Sequence, residues 1–346
     1  MTRASGKKAG LAVIYALLLM TTACAAPQGP PAAPRIEAGG ERAVLFEADG
    51  GEKTVADWPL PQVFVEDEAV PLAWGVSSVK IPSAPGTVVY ENNKARIDAS
   101  NASEGYTVIS YRGSVPKIKV QIEKSGGAAV YTYNLNAAGT AEVYPFTEGS
   151  GVYTVRVLEN ISGTSYALAF SQEVAVELAN QFLPFLYPNQ YVNFTAESKA
   201  VLKATELSAG AESDLDIITK VYDYVISHVT YDHEKAATVQ SGYLPVVDTT
   251  LATGKGICFD YAALMSAMLR SQGIPVKLTV GYVSGGVYHA WISAYVQNVG
   301  WVNSMIYFDG VNWKLMDPTF AANANNSKSI NEFIGKGSNY EAKYAY

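Results

Sequence analysis

The chain reads as an α+β protein with an all-β part in front, and three observations predict this. Between residues 61 and 178, apolar and polar side chains alternate with a period of two. From about residue 196 the apolar period becomes helical, and after residue 258 one further helical run leads into short strands with short connections. The change of period divides the chain into residues 61–178 and 179–346, and 346 residues is a length for about two domains. Hydrophobic content of 49% with only 16% charged residues excludes a disordered chain outside the N-terminal region.

Residues 1–23 carry Arg3, Lys7 and Lys8 ahead of a 12-residue uncharged run from Ala9 to Met20. A membrane span needs about 20 such residues, so this is the pattern of a secretory signal peptide. Ala23-Cys24 followed by Ala25-Ala26-Pro27 resembles a bacterial lipoprotein cleavage site, although Thr21 stands where leucine is usual. The expectation is a protein exported to the cell envelope and anchored in the membrane through a lipidated Cys24. Cleavage after Ala25 is the alternative, and it would leave a secreted protein. Residues 24–60 are rich in Pro, Ala and Gly and read as a flexible tether with one edge strand near residues 43–46. Removing the three positive charges of residues 1–23 takes the formal net charge from −7 to −10. Such an acidic surface argues against a nucleic-acid partner and offers no basic patch for anionic lipid.

Within residues 61–178, Ile118, Val120 and Ile122 alternate with polar neighbours, as do Tyr131, Tyr133 and Leu135, and then Tyr153, Val155 and Val157. Turn clusters separate these runs, which predicts an antiparallel sandwich of immunoglobulin-like type. The tyrosines would suit carbohydrate binding if exposed, but their inward parity predicts core packing.

The second domain opens with a proline-rich stretch, Phe182 to Pro188, that cannot be a helix. Helices are predicted from about Ala196 to Ala209 and from about Glu212 to Val229, the second with an apolar stripe from Ile217 to Val229. His228 beside that stripe reads as a cap or surface residue. Asp232 and His233 lack a third ligand at suitable spacing, so no metal or other cofactor is expected. Residues 234–253 read as a long loop that lines a site.

Two glycines, Gly254 and Gly256, precede a helix predicted from Cys258 to Ser271, and they would let the backbone approach a ligand. Cys258 thus begins a helix, where unpaired N–H groups and the positive dipole end favour the thiolate; an inert core cysteine is the other reading. Lipidation of Cys24 would leave Cys258 as the one thiol, so stability has to come from the core. His289 lies in an apolar β run, on the face shared with Trp291. Asp317 ends a strand on its apolar side, and Pro318 keeps its backbone extended. A carboxylate entering a core face needs a partner. A cysteine nucleophile, a histidine base and an aspartate to orient the base make a triad pattern. The aromatics of the tail, Tyr340, Tyr344 and Tyr346, predict that it docks.

Gly254-x-Gly256-x-Cys258-x-Asp260-Tyr261-Ala262, then Arg270-Ser271-Gln272-Gly273-Ile274-Pro275, Gly281-Tyr282, His289-Ala290-Trp291 and Asp317-Pro318-Thr319 fall in one order. Over roughly residues 183–320 the chain resembles the transglutaminase-like superfamily core. The resemblance implies a papain-like α+β catalytic domain with Cys258 as nucleophile, His289 as base and Asp317 as orienting carboxylate. It implies acyl transfer on a protein or peptide substrate through a thioester. The superfamily spans crosslinking enzymes, deamidases, peptidases and non-catalytic members. The sequence leans toward hydrolysis over crosslinking, and a surface interaction module that keeps the fold without the chemistry is the alternative.

Overall fold

In the computed structural model, which describes residues 78–283, 286–297, 300–302, 306–308, 313–315 and 340–346, the alternating region forms eight strands. These are β1 (Val89–Glu91), β2 (Ala95–Asp98), β3 (Tyr106–Tyr111), β4 (Ile118–Lys124), β5 (Val130–Leu135), β6 (Glu142–Pro145), β7 (Gly151–Ser162) and β8 (Ser165–Val176). They make two antiparallel four-stranded sheets, ordered β1-β2-β3-β6 and β5-β4-β7-β8. Ile118, Val120 and Ile122 of β4, Tyr131, Tyr133 and Leu135 of β5, and Tyr153, Val155 and Val157 of β7 are buried, so these tyrosines are core residues. Glu159 on β7 accepts hydrogen bonds from Tyr111 of β3 and from Lys94 before β2, which ties the two sheets together. The signal peptide, the tether with Cys24 and the first part of the domain expected from residue 61 lie outside the described residues.

Helices α1 (Lys199–Ser208) and α2 (Asp214–His228) fall where the helical period predicts them. Ser213 caps α2 by accepting the Asp216 N–H at 3.1 Å, two aspartates occupy its first turn, and Ile217, Ile218, Val221 and Val225 are buried. His228 at its end bonds through Nε2 to the Leu251 carbonyl at 2.7 Å and stacks on Tyr224.

The region read as a long loop contains two short helices, α3 (His233–Thr238) and α4 (Val247–Thr253). Thr-rich, β-branched Val-Asp-Thr-Thr-Leu-Ala-Thr has weak helix propensity, so tertiary contacts decide. Asp248 accepts the Lys199 and Ala200 N–H groups at 3.0 Å each, capping α1 from α4. Gly254, at φ +62°, terminates α4, where a side chain would be strained. Asp232 caps α3 by accepting the Lys235 N–H at 2.9 Å.

Helix α5 (Cys258–Arg270) is central and buried nearly all round. It packs on α1, α2 and α4 and on strands β11 (Val276–Val283) and β12 (Val287–Val296). Strand β13 (Gly300–Val302) flanks β12, and β16 (Tyr340–Ala345) flanks β11, giving the antiparallel order β13-β12-β11-β16. The remaining elements of this half are the parallel pair β9 (Thr230–Tyr231) and β10 (Lys255–Gly256) and the antiparallel pair β14 (Ile306–Phe308) and β15 (Trp313–Leu315).

The tail therefore docks, as its aromatics predict. Tyr346 lies 5.6 Å from Tyr131, 5.7 Å from Tyr133 and 4.3 Å from Tyr191, ring centre to ring centre. One continuous apolar cluster runs from the two sheets of the first half into α1, α2, α5, β11 and β12.

Fully buried Arg270, the last residue of α5, holds this half to its neighbours. It donates through Nε and Nη2 to the Val276 carbonyl at 3.0 and 2.6 Å, through Nη1 to the Tyr187 carbonyl at 2.8 Å, and through Nη2 to the Tyr346 backbone oxygen at 2.6 Å. Burial lowers its pKa to about 9, which still leaves the guanidinium charged at neutral pH.

Lys277 on β11 points into an aromatic box, its ammonium 4.0 Å from the Trp301 ring centre and 4.9 Å from that of Phe185. Phe182 and Tyr295 close the box. Burial lowers the amine from its ordinary 10.5 to about 8. Between about pH 8 and 10 the unfolded chain therefore binds more protons at this site than the folded one, and the site adds stability as pH rises through that window. Lys277→Met should remove that rise and stabilise the protein at pH 7 by about 1–3 kcal/mol. Urea titrations of both proteins from pH 7 to 10 check this; parallel curves would refute it.

Candidate active site

The turn into α5 is built by pairing short segments. Thr230 donates its N–H to the Gly254 carbonyl and Asp232 donates its N–H to the Gly256 carbonyl, each at 2.9 Å, so the chain before α3 and the chain before α5 run side by side. A Cβ at Gly256 would lie 2.7 Å from the Asp260 Cβ and 3.3 Å from Thr250 Cγ2. Glycine is required there by the fold-back of Asp260, which corrects the expectation that this residue admits a ligand to the backbone.

Ile257 is the extended residue before the helix, and Cys258 is its first helical residue, 1% exposed. An isoleucine cannot cap. The carboxylate of Asp260, three positions later, accepts the Ile257 N–H at 2.8 Å, the reciprocal half of a capping box. The same carboxylate, wholly buried, accepts from Lys235 Nζ of α3 at 2.6 Å and from Tyr243 Oη at 2.5 Å. Burial first, and then the hydrogen bond to Asp260 and its charge, push the Tyr243 phenol well above its ordinary range. Tyr261 fixes the next turn by donating to the Val229 carbonyl at 2.6 Å.

His289 lies in β12, opposite Gly281 of β11, and is 1% exposed. Its alternate neighbours Ala290, Ile292 and Ala294 belong to the core cluster that includes α5. On its own face, the His289 ring lies 6.2 Å from that of Trp291 at an interplanar angle of 21°, and Trp291 meets Tyr340 edge-on at 5.3 Å. Gly281 is forced by β16, whose register shifts between Val280 and Gly281; a Cβ there would sit 2.0 Å from the Glu341 carbonyl oxygen.

The structure thus carries Cys258 and His289 on two elements that pack together. Asp317 lies outside the described residues. Several aromatics surround the thiol's end of α5. Burial, together with Tyr191, Tyr344, Tyr282 and the charge of Cys258, raises the Tyr288 phenol far above its ordinary range and keeps it a neutral donor. Phe259 lies 5.6 Å from Tyr191 and 6.5 Å from Tyr243. Sequence reading missed Tyr191, Tyr288 and Lys235; an acid at the third helical position was the one signal for the network around Asp260. Among the described residues, no group of three His, Cys, Asp or Glu side chains is placed to hold a metal, and Asp232 serves instead as a helix cap.

Residues 203–318 match the family model of the transglutaminase-like superfamily. The uncharacterized protein YebA of Bacillus subtilis (strain 168) is 23% identical over 211 residues, covering 54% of this chain and 26% of that protein. The chain therefore spans about a quarter of the length of this relative. Two solved structures share 18% and 19% identity. A candidate cysteine protease from Cytophaga hutchinsonii, with a TM-score of 0.32, covers 67% of this chain and 79% of its own. A TGase, with a TM-score of 0.28, covers 47% and 43%. The span matched by the family model begins within α1 and takes in α5 with Cys258 and β12 with His289: residues 203–318 of this chain form a transglutaminase-like superfamily domain.

Proposed function

We propose that the chain is an exported cysteine enzyme that acts on protein or peptide amides through a thioester on Cys258. The observation that carries this reading is the placement of a buried cysteine as the first residue of a helix packed on the strand that holds a buried histidine. In the proposed reaction His289 takes the Cys258 proton, and the thiolate attacks the amide carbonyl. His289 then protonates the departing amine, leaving a thioester. The oxyanion is assigned to backbone N–H groups at the start of α5, the positive end of the helix dipole. Asp317 is assigned the orientation of His289. Water or a primary amine resolves the thioester, giving hydrolysis or crosslinking respectively.

Hydrolysis is the favoured outcome, because an amine prevails only in a channel that excludes water. The experiment offers glutamine-containing and cell-wall-type peptides with a labelled primary amine. Release of ammonia or peptide should exceed label incorporation, and both should vanish in Cys258→Ala. Predominant incorporation would make the protein a crosslinking enzyme; no turnover with a thiol of ordinary reactivity would favour a non-catalytic surface module. In the same reading, an immunoglobulin-like domain over residues 61–178 carries the catalytic domain of residues 179–346 away from a membrane held through Cys24. Cys24→Ser should then release the protein from membranes.

A further inference from the structure

Asp260 presents an electrostatic problem two residues after Cys258. A carboxylate buried in the first turn of α5 adds full negative charge where a thiolate has to form, and like charges oppose each other most strongly where water is excluded. The carboxylate cannot be dispensed with, because the Ile257 N–H has no side-chain cap of its own and is held by Asp260. Lys235 answers the problem. Its ammonium, 2.6 Å from Asp260 Oδ2, is the cation that pairs with this carboxylate. The same ammonium donates to Tyr243 Oη at 2.5 Å and lies 4.3 Å from the Tyr243 ring centre. Tyr243 in turn closes the triangle on Asp260.

We propose that Lys235 is a positioning residue for the Cys258 thiol: it neutralises Asp260 so that one carboxylate can cap the nucleophile helix without suppressing the thiolate. This rests on the reading of Cys258 as nucleophile. The geometry around Lys235 fits the task. Helix α3 is fastened to the nucleophile turn at its start by the bond from the Asp232 N–H to the Gly256 carbonyl, and by Lys235 one turn later. Tyr243 follows Gly242, whose φ of +89° and 2.8 Å approach of a would-be Cβ to Asn134 Nδ2 press this segment against β5. The triangle thus also registers the nucleophile turn on the first half of the chain. On β12, Tyr288 is the titratable side chain whose phenol is influenced by Cys258.

The test compares Lys235→Met and Lys235→Arg with the wild-type chain, following iodoacetamide alkylation of Cys258 at pH 7 by mass spectrometry, kcat and KM on an amide substrate, and the thermal midpoint. Lys235→Met should slow alkylation about tenfold and lower kcat by a similar factor at nearly unchanged KM, while Lys235→Arg restores both to within about threefold. A purely structural lysine would move the thermal midpoint and leave the thiol rate of the folded protein unchanged, and that result overturns the proposal. So does an arginine variant as slow as the methionine one. Should Lys235→Met not fold, Lys235→Gln keeps a donor to Asp260 without the charge and gives the same reading. If the wild-type thiol itself reacts no faster than an ordinary one, the enzyme reading fails first, whatever Lys235 does.

Discussion

Replacing Cys258 by alanine is expected to leave a folded protein whose turnover of any amide substrate falls by about ten-thousandfold or more. The sulfur is removed from a buried site, 1% exposed, which costs about 1 kcal/mol of stability if the neighbours relax little. The proposed reaction, by contrast, loses the atom assigned to form its covalent intermediate. His289→Ala should cost a comparable factor. The double variant should be no worse than either single one, because the nucleophile and its base act as a unit. Asp317→Asn should also cut turnover steeply while folding is largely kept, as expected of a residue that orients the base. Steady-state rates on the peptide substrates, with circular dichroism to confirm folding, check the set. If Cys258→Ala kept even a tenth of the wild-type rate, the thioester route would be excluded.

Arg270→Met should be the most destabilising single substitution in the second half, lowering the unfolding free energy by about 3–5 kcal/mol. Arginine here satisfies three backbone oxygens, those of Val276, Tyr187 and Tyr346. Methionine fills similar volume and takes these donors away; the Tyr346 oxygen keeps the Leu278 N–H at 2.9 Å, while the Val276 and Tyr187 oxygens lose a charged donor in the core, where that is costly. Arg270→Lys should recover only part of the loss, since one ammonium cannot copy a planar fork of donors aimed at three sites. Urea denaturation gives the comparison directly, and a loss under about 1 kcal/mol for Arg270→Met would show that water replaces the guanidinium.

Much of this was legible in the sequence, for identifiable reasons. Alternation exposed the strands carrying Ile118, Tyr131 and Tyr153 because each has one face in the core and one toward polar neighbours. The Cys258 helix and the His289 strand stood out because each sets a reactive side chain into an apolar run. Helices α3 and α4 were hidden, since their local sequence prefers other structure and contacts from distant segments hold them. The pairing of Tyr131 and Tyr133 with Tyr346 was equally hidden: parity shows that a tyrosine is buried, but not against what. Gly256 was misread for the same reason, because its need for a missing side chain comes from Asp260 doubling back upon it.

Strand β16 has a kinetic implication. In its ladder Val283 meets Tyr340 and Thr279 meets Ala345, so β11 stays a bare sheet edge until a much later stretch of chain returns to it. At synthesis rates of roughly 5–20 residues per second that interval lasts several seconds. Throughout it a row of unmet N–H and C=O groups is open to another nascent molecule, and Arg270 lacks one of its acceptors. The aggregation-prone species is therefore the chain that has made β11 but not yet β16, and a chaperone that shields this protein would be needed most at that edge.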